Sequence, residues 1–161
     1  MKRTKDSAAV LVLTVIVCLT LLALGGVPED LFPGGDVYGQ GSNIGEEQLL
    51  ARAINGEARG EPYEGQVAVG AVIINRTKDP AFPKTIAGVI YQPGAFTAVS
   101  DGQINVPIDS GSTVVKAARD ALDGWDPTDG CIYYYNPATA TSSWIWSRQI
   151  VKKIGKHNFA K

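Results

Sequence analysis

Fifteen residues near the middle of the chain, PYEGQVAVGAVIINR at positions 62–76, set the tightest limit on the fold. Val67, Val69, Ala71, Val72, Ile73 and Ile74 leave almost no polar side on a helix of this length. A helix that is apolar all round is buried all round, so the remaining elements must pack about it. Pro62 suits the first position of such a helix, because its missing N–H has no partner there anyway. The chain of 161 residues is the right size for one domain built around one such core.

Other elements follow from local pattern. Asn43 caps a preceding helix, with Glu46 and Glu47 at the positive end of its dipole and Ile44, Leu49, Leu50, Ala53 and Ile54 as its apolar stripe. Gly56 and Gly60 are expected to end it, with Gly60 in a left-handed conformation. Ile86–Tyr91 reads as a short helix, and GAFTAVSDGQ as a strand entering a tight turn at Asp101-Gly102. Thr113–Leu122 reads as a helix with Val114, Val115, Ala118 and Leu122 inward. Cys131–Tyr135 reads as a strand ended by Asn136-Pro137, and 142–148 fits helix and strand equally. Ile150–Phe159 has strand or hairpin character around Gly155. The sum is an α+β fold, a helical core with a small antiparallel β element.

The first 25 residues combine Lys2, Arg3 and Lys5 with an apolar run from Ala8 to Leu24. They read as a signal peptide or a membrane anchor, the length favouring the former. Residues 26–43, rich in Gly, Pro and acids, read as a flexible linker, and 44–161 as the domain. Contact with a membrane is expected only through the first segment, and the domain faces the outer side. Without residues 1–25 the chain loses three basic residues and Asp6, leaving 12 basic and 15 acidic. That balance gives no basic field for nucleic acid. Cys131 is then the single cysteine, so no internal disulfide supports the core.

One histidine, His157, excludes metal sites built on several His and Cys, and no phosphate-cradling glycine motif is present. No cofactor is expected. A Cys131–His157 thiol pair is weighed against a buried, inert thiol; a strand among aromatics favours the second. Carboxylates remain as the acid–base groups. A carboxyl kept protonated by burial at the negative end of a helix can donate to a glycosidic oxygen. Glu57, following the core-facing Ile54, is best placed for this. Glu61 and Glu64 have structural readings, as N-cap and first-turn acid of the central helix. Asp101 is the best candidate for a second carboxylate.

The second half is rich in aromatics. Tyr133 and Tyr135 should share one strand face and Tyr134 the other. With Gln92, Thr97, Asn136 and Trp144 they make a candidate surface for a polar polymer with apolar sugar faces.

The blocks NGEARGEPYEGQVAVGAVIINR, FPKTIAGVIYQPGAFTAV, YYYNP and IGKHNF resemble the catalytic domain of spore cortex-lytic enzymes, the SleB/CwlJ-type cell wall hydrolases. The similarity covers about residues 46–160. It implies a lysozyme-like, resuscitation-factor-like fold and cleavage of peptidoglycan glycan strands, in spore cortex or other cell wall. It implies Glu57, in N-G-E-A-R-G-E, as the catalytic glutamate. It further implies lytic transglycosylase chemistry, with hydrolytic muramidase action as the near alternative. Longer members carry an amino-terminal peptidoglycan-binding domain, and some depend on an accessory germination protein. Two rival readings stay open: a stem-peptide amidase using Cys131 and His157, and a non-catalytic wall-binding module.

Overall fold

The computed structural model describes residues 45–161. The expected signal or anchor over 1–25, the linker over 26–43 and the Asn43 cap lie outside the described residues.

The central helix is α2, Tyr63–Lys78, and every residue from Gly65 to Ile73 is buried. Pro62 is its N-cap, one residue earlier than expected. Helices α1 (Glu46–Ala58) and α5 (Thr113–Leu122) pack against α2 and against each other. Gly70 allows this close approach. A Cβ there would meet Ile54 Cδ1 at 3.0 Å and Ala121 Cβ at 3.1 Å. Ser112 caps α5 by accepting from the Val115 N–H. Leu122, expected inward, is 37 % exposed. The inner face of α5 is taken by Ala117, Ala118 and Ala121, whose small side chains bring it close to α2 and leave Leu122 at the rim.

The short helices α3 (Ile86–Ile90) and α4 (Thr97–Ser100) follow, then a 3-10 turn over Gln103–Asn105. The strand expected in GAFTAVSDGQ is therefore absent. Phe96 is extended, but the chain turns helical at Thr97 because Ala98 is pressed against α1, and Gly102 at φ 81 opens the 3-10 turn. Tertiary contact overrides the β preference of Thr97 and Val99.

Three antiparallel strands, β1 (Tyr133–Tyr135), β2 (Ile150–Ile154) and β3 (His157–Ala160), form a sheet in the order β1-β3-β2. Cys131 lies just before β1, which is shorter than expected. The ambiguous 142–148 segment contains a short helix α6, Ser143–Trp146. Gly155, at φ 56, makes the β2–β3 turn.

The sheet is fastened to the C-terminal end of α2. Asn75 donates to Asp126 and to the Cys131 carbonyl, and Arg76 Nε donates to the Ile132 carbonyl at 2.8 Å. Burial pushes the Asp126 carboxyl up, but hydrogen bonds from Thr128, Asn75 and Gly130 outweigh it and hold the group below its usual range. This loop thus fixes where β1 begins, and so where the three tyrosines stand.

Candidate active site

Glu57 is the penultimate residue of α1, half-buried, and both its oxygens are held from other elements. The Thr97 backbone N–H donates to Oε1 at 3.1 Å. The Tyr134 hydroxyl donates to Oε2 at 3.3 Å. A carboxylate has about four acceptor positions, so roughly one per oxygen stays open for a proton or a substrate hydroxyl. Burial raises the Tyr134 phenol well above its ordinary range, and the nearby Glu57 adds to this. Tyr134 therefore stays a donor at any working pH.

Gly56 is what lets Thr97 reach Glu57. α1 runs through Gly56 to Ala58, so this glycine does not end the helix as expected. A Cβ on Gly56 would stand 2.4 Å from Ala98 Cβ, a distance that real atoms do not tolerate. Arg52 of α1 and Arg59, just past its end, fasten the same segment. Arg59 Nη1 donates to Gln103 Oε1 at 3.0 Å, and Arg52 Nη1 to the Ile104 carbonyl at 3.3 Å. Gly60, by contrast, is not left-handed, and a Cβ there meets nothing within 4 Å.

Glu61 and Asp101 have partners of their own. Glu61 is not an N-cap; its Oε2 accepts the Lys156 N–H at 2.8 Å and anchors the β2–β3 turn. Glu64 lies in the first turn of α2. Asp101 spends Oδ1 on the Gln103 N–H and Oδ2 on Gln103 Nε2, closing the 3-10 turn.

The strand alternation holds. Tyr134 faces Glu57 and packs edge-on to His157 at 5.4 Å. Tyr133 and Tyr135 meet Trp144 at 5.1 Å and Trp146 at 5.3 Å instead. Glu57, Thr97 and Tyr134 are thus brought together, while Tyr133 and Trp144 form a neighbouring aromatic cluster. Tyr135 is 7 % exposed, and its hydroxyl has no partner among the described residues. Gln92 stands in the turn leading to Phe96 and Thr97, its carbonyl accepting from the Ala95 N–H. Asn136 closes a turn after β1, its Oδ1 accepting the Ala138 N–H.

Two arginines were not singled out by sequence. Arg76 lies between the rings of Phe82 and Phe96, 5.2 and 5.8 Å from their centres, and burial lowers its pKa. Arg148 covers Trp144 and Tyr133. Their spacing from Glu57 in sequence carries no signal; only the fold brings them near these aromatics.

Cys131 is buried, its Sγ bonded to the Thr128 carbonyl, and burial pushes its thiol up. His157 is also buried; burial lowers its pKa against the pull of Glu61 and Glu57. Its ring contacts are to Tyr134 and Phe159. A thiol raised in this way is a poor nucleophile. Among the described residues, no group of His, Cys, Asp and Glu could hold a metal ion.

The Cell Wall Hydrolase family model matches residues 60–160, so Glu57 stands just ahead of the match. A spore cortex-lytic enzyme of Bacillus cereus is 59% identical over 114 residues, covering 71% of this chain and 43% of that protein. One from Oceanobacillus iheyensis is 52% identical over 137 residues, covering 85% and 47%. The chain spans less than half the length of these relatives. Among solved structures, the catalytic domain of the germination-specific lytic transglycosylase SleB from Bacillus anthracis superimposes with a TM-score of 0.70. It is 55% identical and covers 76% of this chain and 98% of its own.

Proposed function

The chain belongs to the cell wall hydrolase family, and from that premise we propose that it cleaves peptidoglycan glycan strands by a single-glutamate, lytic transglycosylase mechanism. One observation carries the reading. Glu57 is held by donors from two separate elements, the Thr97 N–H and the Tyr134 hydroxyl, while both oxygens of Asp101 are turned back onto Gln103 of its own turn. A double-displacement or water-activating glycosidase needs a second free carboxylate; intramolecular capture does not.

In the proposed cycle Glu57 gives its proton to the glycosidic oxygen as the C1–O bond breaks. The departing sugar leaves with a new hydroxyl. Glu57, now a carboxylate, takes the proton of the C6 hydroxyl of the remaining sugar, whose oxygen bonds to C1. The 1,6-anhydro ring closes, no water is consumed, and Glu57 is protonated again. Thr97 and Tyr134 keep the carboxyl in one orientation through both transfers.

Gln92, Tyr133, Asn136 and Trp144 are proposed to line the approach of the strand, with Tyr135 supporting them from below. The 1–25 segment, as signal or anchor, would deliver the domain to the wall side of the membrane. Spore cortex is the wall that the relatives' names indicate, and an accessory germination protein would belong to that setting.

Digestion of purified peptidoglycan followed by mass spectrometry tests the reading. Anhydro-muropeptides are expected. Reducing-end muropeptides would replace the transglycosylase step with hydrolysis, and free stem peptides would replace the glycan reading altogether.

A further inference from the structure

The charge of the domain is divided along the chain. Residues 45–130 contain twelve acidic and seven basic side chains, whereas 131–161 contain no acid and five basic ones: Arg148, Lys152, Lys153, Lys156 and Lys161. The basic part is the sheet and α6. Within it, the Arg148 guanidinium carbon sits in the corner of two rings set edge to face, 4.1 Å from the centre of Trp144 and 5.0 Å from that of Tyr133. Its Nε is buried without a hydrogen-bond partner, and no carboxylate pairs with it among the described residues. Trp144 is 37 % and Trp146 50 % exposed.

Sheet register places this cluster at one end of the strands. Tyr133 pairs with Ala160, and Ala160 with Ile150, two residues beyond Arg148. The Lys161 N–H bonds the Gln149 carbonyl and continues this end of the sheet, while its ammonium lies beside Gly130. Tyr133 adjoins Tyr134, the residue that holds Glu57, and stands on the opposite face of β1.

We propose that Tyr133, Trp144 and Arg148 bind the free carboxylates of the peptides borne by the glycan strand. This deepens the proposed function and rests on it. Three features select the ligand. A guanidinium held against two rings presents a planar fork of donors that matches a carboxylate. The rings beneath it prevent the rotation that an exposed arginine would lose on binding. Every charged residue of the segment 131–161 that carries the cluster is basic, which favours an anionic ligand. Sugar stacking on Trp144 alone would account for the ring but not for the unpaired cation.

The test is co-sedimentation of the full chain with insoluble sacculi, in a Glu57→Gln background so that the polymer stays intact. One sample of sacculi carries its peptides with free carboxylates, and in the other those carboxylates are capped as methyl amides, which leaves the cross-links intact and the polymer insoluble. Arg148→Gln should weaken binding to the first roughly tenfold, as expected for loss of a charged hydrogen-bonding pair, and leave binding to the second unchanged. Arg148→Lys should recover only part of the loss, because the charge returns without the fork. Circular dichroism at the assay temperature checks that each variant is folded. Equal losses on both samples would make the cluster a sugar platform and overturn the proposal, as would no loss on either. A matching loss on phosphatidylglycerol vesicles would assign the face to a membrane and overturn it too. Glycan cleavage is read separately from products, so a failure of the catalytic reading leaves this result interpretable.

Discussion

Replacing Gly56 with alanine should separate stability from catalysis. The new Cβ would lie 2.4 Å from Ala98 Cβ. Carbon atoms pack best at about 3.5–4.0 Å, so α4 must withdraw by roughly 1.1–1.6 Å. Thr97 precedes Ala98, and its N–H lies 3.1 Å from Glu57 Oε1. A retreat of that size takes the contact beyond about 4 Å, where it is no longer a hydrogen bond. The stability change is the difference of two terms. Alanine gains about 1 kcal/mol over glycine inside a helix, and overpacking costs about 1–3 kcal/mol. The protein should therefore stay folded, with its melting temperature lowered by a few degrees. Catalysis has no such offset. A 1 Å error in the placement of a catalytic group costs about 10²-fold, and that loss is expected in turnover. The assay is release of soluble muropeptides from peptidoglycan, with the folded fraction measured by circular dichroism. Gly60→Ala is the control: a Cβ there meets nothing within 4 Å, so activity should be retained. Ala98→Gly placed on Gly56→Ala should restore much of the rate, because it removes the atom that clashes. A folded Gly56→Ala protein with turnover within threefold of the parent, or a double variant with no recovery, would refute the reasoning.

Other outcomes follow from the same geometry. Tyr134→Phe removes one donor from Glu57; at 3.3 Å the bond is long, so kcat should fall about tenfold with KM little changed. Cys131→Ser should keep most of its activity in the folded protein; a folded but inactive variant would restore the thiol amidase. Burial lowers the His157 pKa, so the unfolded chain takes up a proton near 6.5 that the folded chain resists. Stability should therefore be level above about pH 6.5 and fall as the pH drops below it, with a shallower slope of melting temperature against pH in His157→Gln.

The elements read most easily from sequence are those with a single physical explanation. An all-apolar helix has to be central, and α2 is. The apolar spacing of Val114, Val115 and Ala118 marks α5, and Gly155 marks the β2–β3 turn. Glu57 could be singled out because nothing in helix chemistry asks for an acid beside Ile54 at a helix end. Gly56 misled because glycine signals both termination and close approach, and only the position of Ala98 shows which one applies. GAFTAV misled because its β-branched residues describe local preference, while the contacts of Ala98 and Thr97 with α1 set the backbone. Tyr134 was placed on the correct strand face by alternation, but its hydrogen bond to a residue 77 positions away has no local trace. Arg148 escaped notice for the same reason: stacking on Tyr133 depends on how α6 folds back beside β1.

The most direct test of the central claim is Glu57→Gln, read by mass spectrometry of the muropeptides released per unit of folded protein. The account predicts a normal melting profile and a loss of 10²–10⁴-fold, the usual worth of general acid–base catalysis, in every anhydro product. A folded Glu57→Gln protein that still releases anhydro-muropeptides within about tenfold of the parent would contradict it.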